Sequence, residues 1–329
     1  MKILIMQTAF IGDIVLATPI IEKLKSVHEN CTIDFLVRKG NESLLLNHPL
    51  LNKVFIFDKK KNKYANATRL IKIIRSESYD YVINVQRYFL SGLMTVFSGA
   101  KVTIGFKPNP WSFFFTHRVN HQIGGNKLSS HEVIRNLSLL HGLTDTELIR
   151  PKLYPTASDY QKVFTKDEYI CVAPASIWYT KQFPVDKWCQ LINKISKKYR
   201  IYLIGTSTDY GLCEAIQRKT DFDRVEIWAG KLTLLESVAL IKNAKMTFAN
   251  DSAPLHFASA MNAPVTAIFC STIPQFGFGP LSDISHVIEV EEKLDCRPCG
   301  IHGFKKCPKR HFKCSDINID SIIKKVQME

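Results

Sequence analysis

Three polar stretches follow strand-like segments and carry side chains that could transfer a proton or bind an anion. In the first, "TAFIGDIVLATPIIEKL", Asp13 stands beside Gly12 in the turn between an apolar strand and an apolar helix. An aspartate at this position can accept hydrogen bonds from the first N–H groups of the helix, or it can act as a general base. This stretch alone does not decide between the two functions.

The second stretch, "FANDSAPLHFASAM", ends a strand at Asn250 and then begins a helix. Asp251 or Ser252 can cap that helix, whose free N–H groups and dipole favour a bound anion. His256 lies one turn into the helix and can approach the same ligand. The alternative is an ordinary cap with a half-buried histidine packed on the sheet.

The third stretch, "APASIWYTKQFPVDKW", leaves a strand through a loop of small residues and reaches Lys181 just before the next helix. Lys181 can supply a point charge to a diphosphate, and Ser176 can donate a hydroxyl hydrogen bond to it. A solvated loop lysine is the alternative, and it is the commoner fate of a single lysine.

A cysteine cluster near the C-terminus, "CRPCGIHGFKKCPKRHFKC", has the spacing C-x2-C-x7-C-x6-C. Four thiols this close together in a reducing compartment are typical of a tetrahedral Zn or Fe site. Free thiols or incidental disulfides are the alternative. The candidate ligands are Cys296, Cys299, Cys307 and Cys314.

The elements that must position these residues alternate along the chain between short apolar runs and longer helical patterns. Strands are predicted at "KILIMQ", "TIDFLV", "KVFIF", "YDYVINV" and "KVTIGF", and later at "EYICVAP", "RIYLIG", "KMTFAN" and "PVTAIF". Helical patterns such as "ATRLIKIIRS" and "VDKWCQLINKIS" lie between them. This alternation predicts βαβ units and a parallel sheet in each half of the chain.

A segment with two prolines and weak periodicity, "GLTDTELIRPKLYPTASDYQ", predicts a linker near residues 145–165. We therefore expect two domains, residues 1–155 and 156–329. Ligands of parallel sheets bind beyond the carboxyl ends of the strands. The expected binding loops are those that carry Asp13, Ser176–Lys181, Thr206–Asp209 and Asp251–His256.

The net charge of +14 over 329 residues favours a polyanionic partner: nucleic acid, an anionic membrane face or a phosphorylated substrate. The sequence contains no Walker A motif and no signature of an RRM, HTH or KH domain, which argues against a P-loop NTPase and against nucleic acid. No segment resembles a signal peptide, so a cytoplasmic location is expected.

An aromatic segment, "NPWSFFFTHRVNH" (Asn109–His121), combines a tryptophan and three phenylalanines with basic residues. It could enter a membrane surface, where aromatic and cationic side chains bind together. It could equally be a hydrophobic helix packed inside the first domain.

Three motifs together, "GDIVLATPII", "PASIWYTKQFP" and "NDSAPLHFASAMNAPVTAIF", resemble the bacterial ADP-heptose:lipopolysaccharide heptosyltransferases of glycosyltransferase family 9. The resemblance implies an α/β protein of GT-B architecture, with two Rossmann-like domains facing each other across a cleft. It implies that the first domain holds the acceptor, that the second holds the nucleotide sugar, and that catalysis requires no cofactor.

The same resemblance assigns roles to individual residues. Asp13 of the "GD" motif is the expected general base, and Lys181 is expected to contact the donor phosphates. Ala253 stands where the family usually has glycine. The expected substrate-binding residues are Gly12, Ser176, Asp209 (at the ribose), Asp251, Ser252, Ala253 and His256.

The resemblance therefore predicts an inverting enzyme that transfers heptose from ADP-heptose to a lipopolysaccharide inner-core acceptor at the inner face of the cytoplasmic membrane. An alternative is a family member that glycosylates a protein, because the protein-modifying heptosyltransferases of autotransporters carry an iron-binding, cysteine-rich C-terminal segment. Under either hypothesis the protein is an enzyme that binds no nucleic acid.

Overall fold

The computed structural model describes residues 1–123, 131–195, 198–220 and 223–326. The chain divides into two compact units, Met1–Tyr154 and Pro155–Glu329. Each unit is built on a six-stranded sheet in which all neighbouring strands are parallel, as the alternating pattern predicted. None of the helices in the described ranges combines the length and the apolar character needed to cross a bilayer.

The first unit has a sheet whose central strand is the first of the chain. Its four residues Ile3–Met6 are fully buried, because helices cover both faces of a parallel sheet. The strand order is β3-β2-β1-β4-β5-β6. The strands are β1 Lys2–Met6, β2 Thr32–Arg38, β3 Lys53–Phe57, β4 Tyr81–Asn84, β5 Val102–Phe106 and β6 His117–Val119, and the helices are α1 Ile11–Val15, α2 Thr18–Val27, α3 Lys63–Ser76, α4 Phe89–Val96 and α5 Glu132–Leu137.

The second unit repeats this plan, with the strand order β12-β11-β10-β7-β8-β9. The strands are β7 Tyr169–Ala173, β8 Arg200–Leu203, β9 Val225–Ile227, β10 Met246–Asn250, β11 Val265–Phe269 and β12 Ser285–Glu289. The helices are α6 Ala157–Lys162, α7 Val185–Ile195, α8 Tyr210–Arg218, α9 Leu234–Asn243, α10 Ala253–Met261 and α11 Ile319–Val326.

Helix α7 shows how the sequence pattern produces this packing. It buries Trp188, Leu191, Ile192 and Ile195, which recur at the three- and four-residue spacing of one helix face. These side chains join the apolar cluster of the second unit, so the helix is held against its sheet along a single stripe.

Each sheet has one point where the strand order reverses. In the first unit it lies between β1 and β4, and in the second between β7 and β10. Loops leave neighbouring strands in opposite directions at such a point and open a crevice at the carboxyl ends, where ligands of this fold class bind. Asp13 follows β1, and Lys181 and Asp251 follow β7 and β10, so all three stand at these points.

The aromatic segment Asn109–His121 forms no α-helix. Residues Ser112–Phe114 make one 3-10 turn, and the chain then enters the edge strand β6. Phe115 is buried, but Phe113 and Phe114 are largely exposed. The hypothesis of a hydrophobic helix packed inside the first domain is therefore wrong.

Candidate functional site

Asp13 lies in the short helix α1, immediately after the loop that follows β1. Phe10 occupies the N-cap position, and its backbone N–H donates a hydrogen bond to Asp13 Oδ2 at 3.1 Å. The carboxylate thus satisfies one N–H group at the start of the helix, as a capping residue does. Gly12 lies beside it in the same helical turn.

The surroundings of Asp13 also suit a proton acceptor. Burial raises the pKa of Asp13 to about 6 and the charge of Glu132 adds to the rise, whereas the Phe10 N–H group and Arg87 oppose it. A carboxylate with a pKa near 6 is ionised at neutral pH and accepts a proton more readily than an ordinary aspartate. The capping bond and the raised pKa coexist in this structure.

Glu132 was not predicted from the sequence, because it lies far from Asp13 along the chain. It begins helix α5 and is buried, with Arg135 Nη2 at 2.6 Å and His121 Nε2 at 3.8 Å from its Oε2. Burial alone would raise the pKa of Glu132, but His121 and Arg135 outweigh burial and lower it to about 2. Glu132 is therefore a permanent negative charge close to Asp13.

Cations surround the loop that precedes Asp13. Lys59 Nζ donates to the backbone oxygen of Thr8 at 2.7 Å, and the Arg38 guanidinium lies 5.9 Å from the ring centroid of Phe10. Burial, assisted by the charge of Arg38, lowers the pKa of Lys59 to about 8. Arg38 ends β2, and Lys59 lies just beyond the end of β3. Because ligands bind at the carboxyl ends of parallel strands, this position could have identified both as candidate binding residues from the sequence.

In the second unit, the structure brings Lys181 and Asp251 together. Lys181 Nζ lies 2.6 Å from Asp251 Oδ2, and the Thr272 hydroxyl donates to the same oxygen at 2.7 Å. The side chains of Lys181 and Asp251 are only 13% and 7% exposed. Thr272, which follows β11, was not predicted from the sequence.

Asn250 fixes the loop that carries Lys181. Its side-chain amide donates to Pro174 O at 2.7 Å, and its Oδ1 accepts from the Phe183 N–H group at 3.0 Å. One buried side chain at the end of β10 therefore joins both ends of the loop that follows β7. Within this loop Ser176 is half-buried, and its carbonyl accepts a hydrogen bond from Gln182 Nε2 at 2.6 Å.

Helix α10 presents its N-terminus at the same edge of the sheet. Ser252 is the N-cap residue, but its side chain makes no capping bond and its hydroxyl donates to Asn250 O at 3.3 Å. Ala253 begins the helix and contributes one of the first N–H groups, which have no partner within a helix. His256 is buried one turn further along.

Asp209 ends the 3-10 turn that follows β8, and its carboxylate is turned towards its own loop. Oδ2 accepts from both the N–H group and the hydroxyl of Thr206, at 2.8 and 2.7 Å. Gly205 permits this approach, because a Cβ there would lie 3.0 Å from Asp209 Oδ2. The side chain expected at the ribose thus also holds the shape of the loop.

The cysteine-rich segment packs against the lysine loop. Phe304 N donates to Thr180 Oγ1 at 2.8 Å, and Thr180 N donates to Phe304 O at 3.1 Å. Gly303 has φ +75°, and a Cβ there would lie 2.9 Å from Thr180 Oγ1 and 3.3 Å from Lys181 Cγ. The segment therefore touches the residue that carries the candidate donor charge.

The four clustered cysteines differ in environment. Burial raises the pKa of Cys307, but four backbone N–H groups of residues 309–312 outweigh it and lower the pKa overall. Burial raises the pKa of Cys314 to about 12. Across the described ranges, no three His, Cys, Asp or Glu side chains are arranged to hold a metal ion. A metal at Cys296, Cys299, Cys307 and Cys314 stays a prediction.

Comparison with known sequences identifies relatives of this chain. The family model described as glycosyltransferase family 9 (heptosyltransferase) matches residues 67–301. Lipopolysaccharide heptosyltransferase 3 of Escherichia coli strain K12 is 30% identical over 281 residues, which are 79% of this chain and 80% of that protein.

Solved structures share the fold at lower identity. A family 9 glycosyl transferase from Veillonella parvula superposes with a TM-score of 0.83 at 18% identity, covering 99% of this chain and 96% of that one. E. coli heptosyltransferase WaaC with ADP superposes with a TM-score of 0.76 at 17% identity, covering 99% of both chains. The dodecameric iron-containing heptosyltransferase TibC from E. coli was solved in complex with ADP-D-beta-D-heptose. It superposes with a TM-score of 0.62 at 17% identity, covering 99% of this chain and 76% of that one. The expected GT-B fold, with two Rossmann-like units, is confirmed.

Proposed function

The chain belongs to glycosyltransferase family 9, and from that premise we propose that it transfers heptose from ADP-heptose to a lipopolysaccharide inner-core acceptor. One observation carries the proposal: Asp13 and Lys181, the residues of the two family motifs, both stand where the strand order of their sheet reverses. The lipopolysaccharide heptosyltransferase that is 30% identical over most of the chain supports the choice of substrates.

We assign the donor diphosphate to the second unit. Lys181 supplies the cation, and the N–H groups at the start of α10 supply hydrogen bonds and the positive end of the helix dipole. Ser176 and His256 complete the donor contacts, and Asp209 contacts the ribose. The positive charge of Lys181 is shared with Asp251, so the diphosphate meets an ion pair and not an isolated lysine.

We assign the proton transfer to Asp13. An acceptor hydroxyl attacks the anomeric carbon of heptose, a new carbon–oxygen bond forms there, and the bond to the β-phosphate oxygen breaks. Asp13 takes the hydroxyl proton, and ADP leaves with the bonding electron pair. A single displacement of this kind inverts the configuration at the anomeric carbon. Negative charge grows on the leaving phosphate, where Lys181 stabilises it more strongly in the transition state than in the ground state.

The acceptor proposal rests on the charges of the first unit. The loop between β1 and Asp13 is bordered by Lys59 and Arg38. Arg87 lies close enough to Asp13 to lower its pKa. Such a basic surface suits the acidic groups of a lipopolysaccharide core better than it suits a neutral sugar. Because this acceptor is built on a membrane lipid, we also propose a cytoplasmic location with peripheral contact to the inner membrane.

A donor screen tests the proposal directly. The protein is incubated with ADP-, GDP- and UDP-sugars and a series of core acceptors truncated at successive inner-core positions, and the mass of each acceptor is then measured by mass spectrometry. We expect one heptose added from ADP-heptose, and an initial rate of transfer at least about 100-fold lower for the Asp13→Asn variant. Transfer from a different nucleotide sugar, or transfer by Asp13→Asn at the wild-type rate, contradicts the proposal.

Glycosylation of a protein is the second candidate function. It is favoured by the cysteine-rich segment 296–314 and by the structural likeness to iron-containing TibC. Elemental analysis of protein purified without chelators tests the metal, and Cys299→Ser should remove it if the four thiols bind one. Offering an unmodified autotransporter fragment beside the core acceptor decides which of the two substrates the enzyme uses. We propose that catalysis itself requires no cofactor.

A further inference from the structure

Five aromatic rings on the first unit form one connected surface, which we call the aromatic patch: Phe89, Phe97, Trp111, Phe113 and Phe114. Trp111 lies at its centre, with ring centroids 5.4 Å from Phe89, 6.3 Å from Phe97 and 5.9 Å from Phe114. Phe113 extends the patch from Phe114, also at 5.9 Å. The patch joins helix α4 to the 3-10 turn at Ser112–Phe114.

The outer rings of the patch face solvent. Phe113 is 78% exposed and Phe114 is 63% exposed, although the next residue, Phe115, is buried in the core. Leaving large apolar rings in water is unfavourable, and contiguous exposed apolar surface on a folded domain marks an interaction site. The half-buried Trp111 anchors the exposed rings to the domain.

The segment that forms the patch contains no acidic residue, although Asp80 just before it pairs with Lys101. Residues 81–131 contain no aspartate or glutamate, and their basic residues are Arg87, Lys101, Lys107, Arg118 and Lys127. The Arg118 guanidinium lies 5.7 Å from the ring centroid of Phe113, and Lys107 is an exposed residue of the same segment. The Arg118 cation therefore borders the exposed rings.

The patch is also linked to the loops of the candidate site. Asn109 Nδ2 donates to Gln86 O at 3.0 Å and to Tyr88 O at 3.2 Å. Thr8, in the loop before Asp13, donates to Gln86 Oε1 at 2.6 Å. The turn that exposes Phe113 is thus connected through buried hydrogen bonds to the loops that follow β4 and β1.

We propose that the aromatic patch docks this protein onto the surface of an anionic lipid bilayer. Exposed aromatic rings bordered by cations bind at the level of the lipid headgroups, where the rings enter the apolar boundary and the cations meet phosphates. A symmetric contact between two copies is disfavoured, because it would bring the same acid-free, basic segment against itself. The proposal rests on the proposed function in one respect, that the acceptor is carried by a membrane lipid.

Vesicle binding by a matched pair of variants tests the proposal. Phe113→Ser removes a ring of the patch, whereas Phe164→Ser removes an equally exposed ring, 73% accessible, from the second unit. Full-length proteins are sedimented with vesicles of phosphatidylcholine alone and of phosphatidylcholine mixed with phosphatidylglycerol, at low and high salt. We expect tighter binding to the anionic vesicles, a loss of about 10-fold in the partition coefficient for Phe113→Ser, and no change for Phe164→Ser.

Two further measurements separate the possible outcomes. Heptose transfer to a delipidated, water-soluble acceptor should be unchanged in Phe113→Ser, so a failed donor screen and a failed docking surface are told apart. Equal vesicle binding by the wild type and by Phe113→Ser overturns the proposal. So does a wild type that sediments as a dimer while Phe113→Ser is a monomer, because the patch would then bind a second copy.

Discussion

Lys181 Nζ forms an ion pair with Asp251 Oδ2 at 2.6 Å, across two neighbouring strands of the second sheet. Lys181 follows β7 and Asp251 follows β10, and Thr272 donates to the same carboxylate oxygen. The pair is nearly buried, so each charge depends on the other for its stabilisation. A donor diphosphate that binds Lys181 must therefore share it with Asp251.

This ion pair should appear in protein stability. Lys181→Met and Asp251→Asn each leave one charge or polar group unpaired, and we expect each to lower the free energy of unfolding by about 3–5 kcal/mol. The double variant should lose clearly less free energy of unfolding than the two single variants lose together, because no buried charge is left without its partner. Urea denaturation of the four proteins gives the coupling energy, and additive losses would show that the two groups do not interact.

The lysine should also act in catalysis. Lys181→Ala removes a charge-assisted bond worth about 1.5–3 kcal/mol, so we expect kcat/KM for the donor to fall roughly 10- to 150-fold at low and at high salt. Lys309→Ala, at an exposed lysine of the cysteine-rich segment, is the control, and any loss there should disappear as salt rises. Equal, salt-sensitive losses would mean that Lys181 is only a surface charge.

Removing the proton acceptor should cost activity but not stability. Asp13→Asn should reduce kcat by roughly 10²–10⁴, the usual contribution of a general base, and leave ADP affinity unchanged. The folded state binds the Asp13 proton more tightly than the unfolded state, whose aspartates have a pKa of about 4. The wild type therefore loses stability as pH rises from about 4 through about 6. At pH 8 the variant should be at least as stable as the wild type in thermal unfolding.

The pH profile should respond to Arg87. With Asp13 as the base, kcat/KM should rise with pH through an apparent pKa of about 6. Arg87→Gln removes a charge that lowers the pKa of Asp13, so the rise should move to higher pH. Arg69→Gln, at an exposed position of α3, serves as the control and should leave the profile in place. An unmoved profile in Arg87→Gln would assign the rise to another group.

The contact between the cysteine-rich segment and the lysine loop can be tested with two glycines. Gly303 and Gly300 have similar φ angles of +75° and +71°, so alanine strains the backbone equally at both. Only at Gly303 would the new Cβ approach Thr180 and Lys181, whereas at Gly300 the nearest heavy atom is 3.9 Å away. We expect Gly303→Ala to lower kcat and raise the donor KM well beyond any effect of Gly300→Ala. If the two variants have equal kinetics and equal thermal stability, the cysteine-rich segment does not influence the active site.

The alternating elements, the parallel sheet in each half and the loops that bear polar side chains could all be predicted from the sequence. The apolar residues of a strand recur every two residues and those of a helix every three to four, so both patterns can be seen in a short stretch of sequence. A parallel sheet brings the loops at the carboxyl ends of its strands to one edge. That is why Asp13, Lys181 and Asp251 could be named as candidates before any contact was known. The motifs likewise sufficed to identify the family.

Which of these residues meet, and what surrounds them, follows only from the three-dimensional structure. Lys181 pairs with Asp251 because β7 and β10 are neighbours in the sheet although they lie far apart in the chain. Burial raises the pKa of Asp13, and the charge of Glu132, from a helix far along the chain, adds to the rise; neither effect has a local sequence signal. Phe113 and Phe115 also could not be told apart from the sequence, because both are phenylalanines. The direction of the backbone at the 3-10 turn exposes the ring of Phe113 and buries the ring of Phe115.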